Sequence, residues 1–262
     1  MHGCLRSPLI ALALLYGGVG YGGAPVRASF ALHEDCSFWM VALRQGETVV
    51  FTRRFEAGVR YRLFVMGDPQ AQAVRCEVLD PLGRVVALGD EGVRETLMRF
   101  TPNATGIYTL RLSLRKAQGL AYCSALLTAE LGDWQATIKH WSDALGRVQQ
   151  AMLALEAQGI SVALAEQGLC MVGGLVSAGR AFTVGQLELG AGAHLWAAAG
   201  DDRVRTLTMR LQRDGKPPEQ TASGKRLALH AISSEGVYAP AVALEAEGGE
   251  AFVIVALFTI RK

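Results

Sequence analysis

At 262 residues, 50% hydrophobic and 19% charged, the chain has a globular make-up with room for one large domain or two ordinary ones, which excludes a disordered scaffold. Its formal charge of +2 traces to Arg6 and Arg27, since the 26 basic residues less these two equal the 24 acidic ones. Beyond residue 28 no net field draws a polyanion, and no nucleic-acid partner is expected.

The N-terminal "MHGCLRSPLIALALLYGGVGYGGAPVRAS" sets Arg6 ahead of an apolar run from Leu9 to Tyr16, then small residues and the A-x-A-like Val26-Arg27-Ala28. That order is the grammar of a secretory signal peptide over 1–28, cut near Ala28. The apolar run is far shorter than the ~20 residues a membrane crossing needs. A periplasmic or secreted protein with no transmembrane span in the mature chain is therefore expected. Gly18, Gly20 and Gly23 spell G-x-G-x-x-G, but no strand precedes them and no helix follows, so a dinucleotide site fails its structural requirement.

Strand-like runs follow at 38–43, 48–55, 61–65, 74–79, 97–100 and 120–127, separated by "GE", "AG", "GDP", "DPLG" and "TPNATG" turns. In "TGIYTLRLSL" the apolar Tyr108, Leu110, Leu112 and Leu114 alternate with Thr109, Arg111, Ser113 and Arg115, the pattern of a half-buried strand. Short strands at this spacing predict antiparallel sandwiches rather than a parallel α/β sheet.

The second half repeats the first. Cys36 answers to Cys170, Phe55 to Leu189, Gly67-Asp68 to Gly200-Asp201, Gly83 to Gly215, Gly106-Ile107-Tyr108 to Gly236-Val237-Tyr238, and Ala121 to Ala251. The offset shrinks steadily from 134 (36 to 170) to 130 (121 to 251), as it would if a duplicated domain had lost a few loop residues. In "EGVYAPAVAL" the outward positions are apolar, and Pro240 removes a ladder donor, which predicts an edge strand or a bulge there.

The series "LDPLGRVVALGDEG" followed by "LMRFTPNATGIYTLRLSL" resembles the bacterial pre-peptidase C-terminal (PPC) jelly-roll domain, and is more weakly similar to the GOLD-type sandwich. The resemblance is strong over 36–128 and weak in the second copy. It implies two tandem jelly-roll-like β-sandwiches and an accessory binding role, and it supplies no catalytic residues. The expected division is a signal peptide over 1–28, a first sandwich over 29–131, a helical linker over 132–168 and a second sandwich over 169–262.

In that linker Trp134, Ile138, Trp141, Leu145, Val148, Met152 and Leu155 fall on one stripe of a helix, with Asp133 a suitable N-cap and Gly159 a suitable stop. Two uses are open to the stripe. It packs against the sandwiches, the use that its added alanines favour, or it pairs two chains as a homodimer.

Four cysteines remain beyond the leader, Cys36, Cys76, Cys123 and Cys170, and an exported protein has the oxidising surroundings to bridge some of them. Because the terminal strands of a jelly roll often lie side by side, Cys36 with Cys123 is the expected disulfide. Cys76 alternates with Val74 and Val78 like a small core residue.

No H-x-x-x-H, C-x-x-C or D-x-D-x-D spacing occurs, so no metal, no cofactor and no enzymatic activity are expected. Arg53, Arg60, Arg62, Arg111 and Arg115 are the candidate binding residues, on strands whose outward positions they occupy. The sequence thus reads as an exported, non-catalytic binding or cell-envelope assembly protein with a protein or envelope component as partner. A carbohydrate-binding module is the first rival reading, which requires Trp39 and Trp196 to be exposed, and an enzyme whose site is assembled from distant residues is the second.

Overall fold

A computed structural model describes residues 26–130, 134–213 and 220–261. The first stretch holds nine strands: β1 (Val26–Ala31), β2 (Cys36–Leu43), β3 (Thr48–Phe55), β4 (Tyr61–Gly67), β5 (Ala71–Leu79), β6 (Val85–Leu88), β7 (Glu95–Phe100), β8 (Gly106–Ala117) and β9 (Ala121–Ala129). Helix α1 (Trp134–Ala157) follows. Then come β10 (Ser161–Leu164), β11 (Gly168–Ser177), β12 (Ala181–Thr183), β13 (Leu187–Leu189), β14 (Ala193–Gly200), β15 (Val204–Arg213), β16 (Gln220–Gly224), β17 (Leu227–Ile232), β18 (Gly236–Ala246) and β19 (Glu250–Arg261). The expected mainly-β architecture of sandwiches with an intervening helix is what the chain adopts.

Each half layers one four-strand set over another. The first orders its strands β2-β9-β4-β7 and β3-β8-β5-β6; the second orders them β11-β19-β14-β17 and β12-β18-β15-β16. These orders correspond strand for strand, so the echo in sequence is also an echo in topology. It reaches single hydrogen bonds. The Gly67 amide donates to the Arg94 carbonyl and the Asp68 amide to that of Tyr122, while Gly200 donates to Arg226 and Asp201 to Phe252. The hydroxyl of Tyr108 donates to the Ala104 carbonyl at 2.9 Å and that of Tyr238 to the Ser234 carbonyl at 3.1 Å. Gly215, the expected partner of Gly83, lies outside the described residues.

The two halves are joined edge to edge. β2 pairs antiparallel with β11, fusing one layer of each half into a single nine-stranded sheet that also takes in β10, while the other layers remain separate five-stranded sheets. The seam pairs Phe38 with Gly173 and Trp39 with Val172. At the offset of 134 between Cys36 and Cys170, Phe38 corresponds to Val172 and Trp39 to Gly173. Equivalent positions therefore meet reciprocally, as across a two-fold axis. One buried core, from Trp39 and Phe51 to Phe182 and Val255, runs through both halves.

Of the described residues in the segment 132–168, only α1 is helical; β10 pairs with the last residues of β19, beyond the stretch of β19 that pairs with β11. Gly159 stops the helix as expected, in a left-handed conformation with φ of 80°. There the Gly159 amide donates to Glu156 and the Ile160 amide to Leu155, the paired bonds of a Schellman motif. Asp133 and the side chain of Trp134 lie outside the described residues. Val148 and Met152 are buried against Leu195, Ile254 and Phe258 on the outer face of the nine-stranded sheet, with Trp141, Leu145 and Leu155 packed around them. From Trp141 to Leu155 the stripe is thus spent on the second half of its own sheet.

Two expectations change. Pro240 sits in β18, which has neighbours on both sides, so it marks neither a free edge nor a bulge. Its missing donor is accommodated because the neighbouring strand is interrupted there: β12 ends opposite Ala241 and β13 begins opposite Tyr238. Cys36 and Cys123 do lie on adjacent strands, but Cys123 pairs with Val41, five residues along β2 from Cys36. At ~3.3 Å per residue that separation is about 16 Å, far beyond the reach of a disulfide. All four described cysteines are free and buried. The leader reading falls mostly on residues 1–25, which lie outside the described residues; its last three residues, 26–28, open β1.

Candidate binding surfaces

A jelly-roll chain alternates between layers, so residues close in sequence need not share a face. The five candidate arginines show it. Arg53, Arg111 and Arg115 stand on β3 and β8 in a five-stranded sheet, whereas Arg62 stands on β4 of the nine-stranded sheet, with Arg60 in the turn before it. They form no single basic face.

Most are held by neighbours. Arg53 donates to the Glu34 carbonyl at 2.7 Å and lies 5.1 Å over the Phe55 ring. Burial pulls its guanidinium below its ordinary pKa, against the charges of Cys36, Tyr61 and nearby carboxylates. Arg111 meets Glu77 at 3.1 Å, and Glu77 also accepts from Arg75 at 2.8 Å. Arg75 reaches on to Glu91, and the hydrogen bond to Glu77 raises its pKa. This row is a charge ladder across the sheet, with the buried Glu77 held between two partly exposed arginines. Arg115 is exposed.

Arg60 and Arg62 share Glu130, at 3.7 and 3.2 Å. Across β4 and β7, Arg62 pairs directly with Arg99, an exposed residue with no ion pair to another described residue. Like charges opposed in this way repel. Beside them runs an apolar row in which Leu97 pairs with Phe64, Phe64 with Leu126, and Leu126 with Phe38. Leu97 is 45% exposed and Met66, one step along β4, is 38% exposed. Arg99 and Leu97 were not among the sequence candidates. The signal was present, since Glu95, Leu97 and Arg99 alternate with the buried Thr96, Met98 and Phe100.

The matching face of the second half is closed. There Ala197, Ala199 and Ala256 leave room for α1 to lie close, and α1 is pinned by polar contacts. Arg147 donates to the Gly200 carbonyl at 2.9 Å and reaches Asp202, while His140 Nδ1 stands 3.2 Å from the Asp201 carboxylate. Asp201 is fully buried and accepts from the Arg203 guanidinium at 2.5 Å and from the Phe252 amide at 2.9 Å. Burial opposes its charge, but these hydrogen bonds outweigh burial and hold its carboxyl below the usual carboxylate range. The cluster anchors the helix.

Other features are modest. Among the described residues no group of three His, Cys, Asp or Glu side chains converges as metal ligands. A cleft of about 140 Å³ lies beside Tyr238, lined by Leu211, Arg213, Ile232 and Ser234. Trp39 and Trp196 are each 1% exposed, so neither offers the stacking surface that the carbohydrate reading requires. No described helix is long and apolar enough to cross a membrane.

No family model and no curated protein matches the chain. Solved β-sandwich structures do match it. The pre-peptidase C-terminal domain of a Bacillus anthracis collagenase is similar over 40% of this chain and 97% of its own, at 13% identity and a TM-score of 0.32. A periplasmic inhibitor of g-type lysozyme from Aeromonas hydrophila is similar over 40% of this chain and 100% of its own, at 12% identity and a TM-score of 0.29. The tandem CBM22 domains of a Paenibacillus barcinonensis protein are similar over 79% of this chain and 82% of their own, at 10% identity and a TM-score of 0.22. A PPC domain thus stands among the matches, as the Asp-Pro-Leu-Gly turn and Gly-x-Tyr strand implied.

Proposed function

We propose that the protein is an exported, non-catalytic binding protein of the cell envelope, and that its contact surface is the open outer face of the nine-stranded sheet in the first half. The observation that carries this reading is the asymmetry between two equivalent faces. One is sealed by α1, whereas the other leaves Leu97 and Met66 exposed beside the opposed Arg62 and Arg99. A mixed apolar and arginine surface has the composition of a protein contact site. The leader-like residues 1–28 support export. Cleavage at Ala28 removes Ala28 from its place beside Val49 but keeps Phe30, which pairs with Phe51 and stacks on it at 5.9 Å.

The test is a photo-reactive amino acid placed at position 97 in the native cell envelope, with position 210 on the exposed side of β15 as control. A reproducible protein adduct at 97 and none at 210 is the expected result. Equal labelling at both positions, or none at either, removes the assignment. Mass measurement of the mature N-terminus checks export separately.

A further inference from the structure

From the fold and charge of this open face we infer that its partner is an amphipathic helix of another protein, acidic along one flank. The inference rests on the binding surface proposed above. Strands β4, β9 and β2 are paired on both sides, so their backbone groups are already used and a strand could be added only at the border of β7, beside this face and not over it. An occupant must bring a self-satisfied backbone and an apolar stripe, which a helix does.

The neighbouring half shows the arrangement. α1 lies on the same sheet, and its apolar bed continues without a break into the open half through Phe38, Leu126 and Met40. Trp141, tilted against Phe38 at 5.6 Å, forms the wall at which the covered part stops. Beyond it Phe64, Met66 and Leu97 make the uncovered floor.

Charge decides whose helix it is. Arg60, Arg62 and Arg99 rim one end of the floor, with Glu130 the one carboxylate paired with them among the described residues, while Glu95, opposite Met66, stands at the other end. Residues 1–25 contain no acid and so offer nothing to answer this charge. A second copy has its α1 stripe buried in its own sheet. The complement is therefore a helix from a different protein, with glutamates or aspartates facing the arginine row.

Two synthetic helical peptides test this against the full-length protein by fluorescence anisotropy. Both carry one leucine stripe; one is flanked by glutamates, the other by lysines. Saturable binding of the acidic peptide at least tenfold tighter than the basic one is expected. Leu97→Asp should weaken it at least tenfold, and Arg62→Glu with Arg99→Glu should reverse the preference. Leu97 is exposed, so Leu97→Asp should melt as the parent does, whereas Arg62→Glu sets a carboxylate against Glu130 and should lower the melting temperature; circular dichroism at the binding temperature verifies that both variants are folded there. Binding of neither peptide, or binding indifferent to these changes, overturns the helix. If position 97 still yields a protein adduct in the envelope, only the helix fails; if it yields none, the surface fails with it.

Discussion

Gly174 lies opposite Cys36 across the β2–β11 seam, and the space a β-carbon would need there is taken by the Asp35 carbonyl oxygen, 1.9 Å from its ideal position. Backbone cannot move aside as a side chain can. Gly174→Ala should therefore force the seam apart and cost about 3 kcal/mol, the upper range for overpacking. Gly146, in α1, has open space around its missing side chain, so Gly146→Ala should stabilise by about 0.5–1 kcal/mol. Urea midpoints of the two variants, shifted in opposite directions, check both statements.

The four buried cysteines should be chemically silent. Burial pushes the thiol of Cys36 up to about 11 and those of Cys76 and Cys123 to about 12, and raises that of Cys170 further. Thiolate is the reactive form, so an aromatic disulfide reagent at pH 8 should react only after denaturant is added. An intact mass two hydrogens short, or rapid labelling of the native protein, would contradict the free, enclosed thiols.

Asp201 makes stability depend on acid. Its folded pKa lies below the unfolded value of about 4, so its stabilisation is complete above pH 4 and disappears as pH falls through the lower folded value. The melting temperature should hold from pH 6 to about 4 and then drop. Asp201→Asn should flatten that drop, and Asp201→Ala should cost about 3 kcal/mol by stranding the Phe252 amide and Arg203. An unchanged acid limb in Asp201→Asn would assign the drop to other carboxylates.

Val148 should be intolerant of charge. It is 2% exposed between α1 and the sheet, so Val148→Asp should unfold the chain or lower its stability by more than about 3 kcal/mol. Had the stripe joined two chains, the same variant would be a folded monomer, which sedimentation distinguishes from loss of structure.

Much of this was legible where the signal is local. Tyr108 and Tyr238 could be matched because each corner spans four residues, a glycine turn and an alternating strand. The end of α1 could be read because a single glycine supplies the left-handed stop. What could not be read depends on register between distant strands. Cys36 and Cys123 look paired until β9 slides five places along β2. The arginines look clustered until β3 and β4 go to different layers. β1 was hidden because the same small and apolar residues that suit a cleavage site also suit an edge strand, and β6 because "VVAL" is too short to show alternation.

The reciprocal seam has a consequence for dissection. Cutting the chain between its halves would not release two finished modules, because β2 and β11 would each become a raw border with a row of unanswered amides and carbonyls. Since equivalent strands face one another there, each fragment carries the shape needed to substitute for its lost neighbour with another copy of itself. What is internal symmetry in the intact chain would become self-assembly in the fragments, and fusing the halves in one polypeptide confines that appetite to a single, already satisfied contact.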